Sequence, residues 1–284
     1  MSPLLSRLWQ WNVHRVIDML NFIFSTGQHK LRGLRNAVLI IVVLVLPPVT
    51  LADIDWSSAD WGGYSVDSLS YWSYADMSRR TAEQARARST PQRGQSVHPA
   101  PRKSPESALS TADNVLPSGA FKDGRGLAQL AELHAGEQSR EQRMARRAQY
   151  RQIVQGFNQN VEKLYGLPAN NLATGMTVVM AGAYSAYQNR RFPDAWVKPL
   201  YQQMEGMLLQ DPRLPKRSAA QKAADYQIMV GAGMAMMLTQ AELEKAPNPA
   251  ALKQLRDTGR DALRTLFNAD PQSVEFSSAG LRVR

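Results

Sequence analysis

The sequence predicts an all-α fold, an antiparallel bundle of about five helices, confined to roughly the last half of the chain. Three observations carry that prediction. Between residues 137 and 268 apolar side chains recur every three or four positions, the spacing of a helix with one buried face. Short turns containing Pro and Gly separate the stretches that carry them. No β-rich stretch and no internal repeat competes with these signals.

The first helix is expected from near Glu137 to Tyr165. Tyr150, Ile153, Val154, Phe157, Val161 and Leu164 make its apolar stripe, with Arg and Gln opposite. Gly166-Leu167-Pro168 stops it, because glycine accepts the left-handed cap and proline cannot continue a helix. The second begins at Asn170-Asn171, either of which can cap, and runs to about Asn189. Leu172, Met176, Val179, Met180, Ala183 and Tyr187 form its core face. Pro193 opens the third, with Asp194 in the first turn and Trp196, Leu200, Met204, Met207 and Leu208 as the stripe. Pro199 lies early enough to be tolerated there, or marks the true start. Asp211-Pro212 and Leu214-Pro215 form the next turn.

Ser218 and Gln221 open the fourth helix with capping-box spacing. It continues to about Lys245 through Tyr226, Met229, Val230, Gly233, Met236, Met237 and Leu243. Asn248-Pro249 is a cap followed by proline at the first helical position, and the fifth helix then uses Leu252, Leu255, Leu263, Leu266 and Phe267. The helical domain is thus expected over 127–270. Residues 271–284 read as an irregular tail with a short strand around Val274–Phe276.

The N-terminal 52 residues carry an address. Lys30, Arg32 and Arg35 precede an uncharged run from Ala37 to Ala52, which ends in Thr50-Leu51-Ala52. A basic region, a short apolar region and a small residue before the cut form the pattern of a secretory signal peptide, cleaved before Asp53. The run has 16 residues against the roughly 20 that cross a bilayer, and Pro47-Pro48 interrupts its end. The expected location is therefore periplasmic or secreted. The alternative is an inner-membrane protein anchored by residues 37–52. The stretch before Lys30 is long for such a signal, with Trp9, Trp11, Phe22 and Phe24 in a loosely amphipathic order. A start assigned too far upstream of Met19 accounts for it, and a membrane-surface helix is the competing account.

Residues 53–126 read as an acidic, aromatic segment followed by a disordered basic linker. Residues 53–77 contain Asp53, Asp55, Asp60, Asp67 and Asp76, no Lys or Arg, and Trp56, Trp61, Tyr64, Tyr71, Trp72 and Tyr74. Those rings either fold back onto the helical domain, remain in a flexible segment, or meet a sugar or partner. Residues 78–126 are rich in Arg, Ser, Pro, Gln and Gly and bury too little apolar surface to offset their ordering entropy.

Composition excludes several chemistries. No cysteine occurs, so disulfides, thiol catalysis and thiolate metal sites are absent. Past residue 52 the histidines are His98 and His134, both outside the expected helices, which argues against triads and imidazole–metal sites. No cofactor or metal is expected. Residues 1–52 hold Arg7, Arg15, Lys30, Arg32 and Arg35 against Asp18, so their removal lowers the net charge from +10 to +6. Nucleic acid is not an expected partner, and the membrane enters only through an uncleaved N-terminal segment. Glu162, Asp194, Glu205, Asp225 and Glu242 are acids available for paired-carboxylate chemistry. Gly175, Gly182, Gly231 and Gly233, with methionines such as Met176, Met180, Met229 and Met236, describe a close-packed seam between the second and fourth helices, or else a Met-lined groove for an apolar ligand.

The tract from Leu164 to Ala173, with GLPxNxLA spacing over Gly166–Ala173, resembles a family of uncharacterised exported bacterial proteins. In that family a signal peptide, a variable linker and a C-terminal helical domain follow one another. The resemblance spans about residues 140–270 and implies this architecture. It implies no catalytic residue.

The function expected is that of an exported, non-enzymatic helical domain that binds a protein partner or an envelope component. Asn170, Asn171, Tyr184, Tyr187 and Trp196 are the candidate contacts, set around the ends of the second helix and the turn into the third. Taken singly, the asparagines also serve as caps and the rings as core. A cell-envelope hydrolase or lyase acting through carboxylates, and an apolar-ligand carrier, are the alternatives.

Overall fold

The computed structural model describes residues 77–80, 83, 114–122, 124–133 and 139–284. The apolar segment 37–52, the acidic segment up to residue 76, most of the linker, His98 and His134 lie outside the described residues. The α-helices are α1 Arg125–Leu133, α2 Arg140–Tyr165, α3 Leu172–Gln188, α4 Asp194–Leu208, α5 Ala219–Lys245 and α6 Pro249–Phe267. A hairpin of β1 Val274–Ser277 and β2 Gly280–Val283 follows. The all-α class holds. α1 is additional to the five helices expected, and too short to show more than two turns of periodicity in the sequence.

Side chains fix the helix starts. Ser218 Oγ accepts from the Gln221 amide at 3.2 Å, and Gln221 Oε1 accepts from the Ser218 amide at 2.9 Å. Ser139 and Gln142 do the same for α2, at 3.2 and 2.8 Å. The sequence places that start near Glu137, three residues early, because this second capping box is passed over. Asn248 Oδ1 accepts from the amides of Ala250 and Ala251, both at 3.1 Å, ahead of Pro249. Such caps contribute about 1 kcal/mol each. Pro199 sits inside α4, which continues through it.

α3 is the core. Every position from Leu172 to Ala186 is buried, so the helix has no solvent face. Its most extensive neighbour is α5, which is buried over most of its middle. The two run in the same direction: Gly175 meets Tyr226 and Met229, and one turn and more later Gly182 meets Gly233. That departs from the uniformly antiparallel bundle expected. The reason lies at the crossing. A methyl on Gly182 would come within 2.6 Å of Gly233 Cα, and one on Gly233 within 2.8 Å of Val179 Cα. The two backbones therefore touch, and close approach rather than hairpin connectivity selects the pairing. Met176, Met180, Met229 and Met236 fill the flanks, all fully buried. α2 runs back along α5, with Tyr150 beside Gly231 and Asn158 bonded to Tyr226.

Residues upstream of 127 also join the fold. Asn114 and Leu116 are buried, Val115 forms a β-bridge with Asn171, and the Leu116 amide donates to the Asn170 carbonyl at 2.8 Å. Phe121 meets the Tyr226 ring edge-on at 5.8 Å. Met77 is buried, and Arg80 pairs with Asp211 at 3.7 Å. At the other terminus, the short strand expected around Val274–Phe276 is β1, and the rest of the tail, expected to be irregular, pairs with it as a hairpin with Phe276 opposite Leu281. Gln203 on α4 holds it: Gln203 Nε2 donates to the Leu281 carbonyl at 3.0 Å, and the Leu281 amide donates to Gln203 Oε1 at 2.7 Å. Gly280 follows the turn at φ 101, where a side chain would also strike Gln203 Oε1 at 2.6 Å.

Candidate functional site

The candidate residues fall at opposite ends of α3, whose 17 residues span about 25 Å. At its N-terminal end, Gly166 takes the left-handed conformation that closes α2, and Leu167 turns into the core. Asn170 follows with φ 55, a conformation asparagine tolerates better than most residues. Its Oδ1 accepts from Asn158 Nδ2 at 2.9 Å, and its amide donates to the Tyr226 hydroxyl at 3.2 Å. That hydroxyl donates in turn to Asn158 Oδ1 at 2.5 Å. Asn171 caps α3 by accepting from the Thr174 amide at 3.2 Å, and the Thr174 hydroxyl donates to the Pro168 carbonyl at 2.8 Å. Burial pushes the Tyr226 phenol far above its ordinary value, against the opposing hydrogen bond from Asn170. The GLPANN tract is therefore a self-satisfied joint, and Asn170 and Asn171 are committed to holding it.

At the C-terminal end the groups are aromatic and cationic. Tyr184, Phe192, Trp196 and Phe276 meet edge to face, Tyr184 lying 5.4, 5.9 and 5.3 Å from the other three. Such contacts contribute about 0.5–1.5 kcal/mol each beyond the area they bury. Arg190 lies over the Tyr184 ring at 5.2 Å and its guanidinium donates to the hydroxyl. Ser185 donates back to the Ala181 carbonyl and accepts the Phe192 amide at 3.1 Å, which fixes the turn into α4. Tyr184 is thus core and Trp196 half-buried at its rim.

Tyr187 points elsewhere. It lines an open groove of about 360 Å³ with Pro249, Leu252, Lys253, Arg256, Asp257 and Arg260, all from α6 between its first residue and Arg260. The groove exists because Gly259 lets α6 close on α3, a methyl there coming within 2.7 Å of the Ala183 carbonyl oxygen. Lys253 and Arg260 bracket Asp257 at 2.8 and 3.0 Å. The hydrogen bond from Lys253, more than the charge of Arg260, holds the Asp257 carboxyl below its ordinary value. Arg256 is exposed in the same groove and joins none of these pairs. Three cations against one carboxylate leave the groove positive. The spacing of Lys253 and Asp257 is visible in the sequence, but nothing local places Tyr187 opposite them.

The carboxylates considered for catalysis are held in other ways. Asp225 is buried and pairs with Arg217 at 2.5 Å. Glu205 accepts from the Tyr201 hydroxyl at 2.7 Å, burial and that bond together raising the phenol's pKa. Glu162 and Asp194 are exposed, and Asp194 pairs with Arg191 at 3.0 Å. Among the described residues no three His, Asp or Glu side chains converge as metal ligands, and no helix is long and apolar enough to cross a membrane. Backbone contact at Gly182–Gly233 fills the seam where an apolar-ligand groove was the alternative.

A family model described as a family of unknown function, DUF6683, matches residues 38–284. The chain belongs to that family. The match takes in the linker and most of the apolar run, well beyond the residues 140–270 that the resemblance spans. No curated protein and no solved structure matches the chain.

Proposed function

We propose that this member of DUF6683 is an exported, non-enzymatic helical domain that binds a protein partner or an envelope component through the groove between the end of α3 and the Pro249–Arg260 stretch of α6. The observation that carries the reading is the pairing of a half-buried ring with an unneutralised cation. Tyr187 and Leu252 offer apolar contact while Arg256 stands exposed beside them without a carboxylate. Tyrosine and arginine are the residue types that concentrate binding energy at interfaces. Asn170, Asn171 and Tyr184 contribute by holding α3 rather than by touching a ligand, and Trp196 borders the aromatic cluster.

The export half of the proposal rests on Lys30–Ala52, and it is tested by the mass of the protein recovered from cell fractions. An N-terminus at Asp53 outside the inner membrane is the expected result; intact chain in the membrane reassigns residues 37–52 as an anchor. The binding half is tested with a photo-crosslinking residue at Leu252 in the native cell. A discrete adduct is expected there, lost in the Arg256→Glu background and absent when the probe sits at exposed Ala148 on α2. Equal, diffuse labelling from both positions overturns it.

A further inference from the structure

The groove has an occupant within the same chain. We propose that the acidic, aromatic segment 54–76 docks in cis in the α3–α6 groove, an inference that rests on reading that groove as a binding surface.

Charge is the first argument. Residues 54–76 contain Asp55, Asp60, Asp67 and Asp76 and no Lys or Arg. Residues 139–284 carry twenty Lys and Arg against twelve Asp and Glu. Within the groove, Lys253, Arg256 and Arg260 face a single carboxylate, Asp257. Beyond the groove on α6, Asp261 is shared between Arg260 at 3.5 Å and Arg264 at 3.7 Å, so the four cations of this stretch face two carboxylates and it stays positive.

Side-chain chemistry is the second. The segment offers Trp56, Trp61, Tyr64, Tyr71, Trp72 and Tyr74 to a groove floored by Tyr187, Pro249 and Leu252. Its Asp55-Trp56 and Asp60-Trp61 steps alternate a carboxylate with a ring. The groove sets apolar Pro249 and Leu252 in the first turn of α6, opposite Tyr187, and the charged Lys253, Arg256, Asp257 and Arg260 over the turns that follow. A guanidinium such as Arg256 serves both components, pairing with a carboxylate or lying over an indole face.

Reach is the third. The segment is followed directly by Met77, which is buried, and Arg80 pairs with Asp211 just beyond α4. That anchor lies towards the N-terminal end of α3, since the α4–α5 connection leads directly to Tyr226 beside Asn170. The groove lies at the other end. Twenty-three residues reach about 80 Å when extended and about 26 Å as a coil, so the tether covers the length of α3 without strain. A tether of this kind holds its end at millimolar effective concentration. Contacts too weak to bind a free peptide therefore suffice, and any external partner must displace the segment first.

The absence of cysteine makes the test clean. Ser58→Cys/Ala250→Cys full-length protein is treated with a short bismaleimide, alongside Ser58→Cys/Ala148→Cys. Ala250 borders the groove and Ala148 lies exposed on α2. The expected result is an intrachain cross-link at Ala250 in clear excess over Ala148. Its yield should fall about fivefold between 0.01 M and 0.5 M salt, as the Debye length contracts from about 30 Å to a few Å. Arg256→Glu, and separately Asp55→Asn/Asp60→Asn, should each remove the excess while circular dichroism stays unchanged. Equal, salt-insensitive yields at the two positions overturn docking. Cross-links between chains assign the groove to a second copy and overturn it as well. If docking fails while the Leu252 photo-adduct persists, the groove keeps its external partner and only the cis occupant is lost.

Discussion

At the N-terminal end of α3, Asn158, Asn170 and Tyr226 use their polar arms on one another, in a joint sealed by Leu116 and Phe121. At the C-terminal end, Tyr184 and its neighbours close a comparable aromatic knot, yet one turn on Tyr187 faces a groove with an unneutralised Arg256. Both ends combine rings with hydrogen-bonding side chains. The difference is whether those groups find partners inside the domain. Where they do, the chain gains a fixed geometry; where they do not, it keeps surface for something else. Position in the fold, rather than residue type, decides which of these groups are satisfied inside the domain.

The comparison breaks most severely in the middle, where α3 rests on α5. Gly233→Val forces two backbones apart and is expected to cost about 4 kcal/mol or more, most of the stability of an ordinary domain. Loss of cooperative unfolding in denaturant would show it. Gly206→Ala in α4, where an added methyl meets nothing, should instead leave the midpoint unchanged or raised by up to about 1 kcal/mol.

At the closed end, Tyr226→Phe leaves Asn158 Oδ1 and the Asn170 amide without partners. A loss of about 1–3 kcal/mol is expected, read as a lower denaturant midpoint at unchanged slope. The same joint has a pH signature. The Tyr226 and Tyr150 phenols are raised by burial, so the stability they contribute is complete below the unfolded phenol value of 10.0 and declines as pH rises above it. Phenolate absorbance from these two should therefore appear with unfolding, not before it. Ser218→Ala, which removes one capping contact, should cost about 1 kcal/mol.

The open end is expected to be almost indifferent to stability. Arg256→Glu should change the unfolding free energy by no more than about 0.5 kcal/mol while abolishing the Leu252 adduct. A stability loss as large as that of Tyr226→Phe would show the two ends to be alike after all. The smallest effect concerns Asp257. Its depressed carboxyl contributes above the unfolded value near 3.8 and is lost as pH falls through the folded value, a change that an NMR titration of the carboxyl can follow.

Much of the closed architecture was legible because it is local. Ser218–Gln221, Asn248-Pro249 and Gly166-Leu167-Pro168 declare helix ends within four residues, and the stripe Tyr150, Ile153, Val154, Phe157, Val161 is buried as its spacing requires. The glycines of α3 and α5 pointed to a close seam, but not to parallel helices. Sequence distance hid the remainder. The hairpin depends on Gln203, 78 residues from Leu281, and a short strand cannot declare so remote a partner. Val115 and Leu116 sit in a stretch whose composition reads as linker, and they are ordered by the backbone of Asn170 and Asn171. Tyr187 belongs to a helical stripe by period, yet α6 covers it only in part. Arg256, on the polar side of its own helix, gave no signal until Tyr187 was placed across from it.

The parallel run of α3 and α5 has a consequence for how the domain is assembled. Two parallel neighbours need a connection that travels the length of the bundle and returns, and here α4 and the turn around Leu214 supply it. Gly182 cannot meet Gly233 until that excursion is complete, so the central contact belongs to the late, non-local part of folding. Before then α4 can pack on α3, but the glycine face that meets α5 is uncovered. A chain cut ahead of α5 is therefore expected to lack the central α3–α5 contact on which the bundle is built.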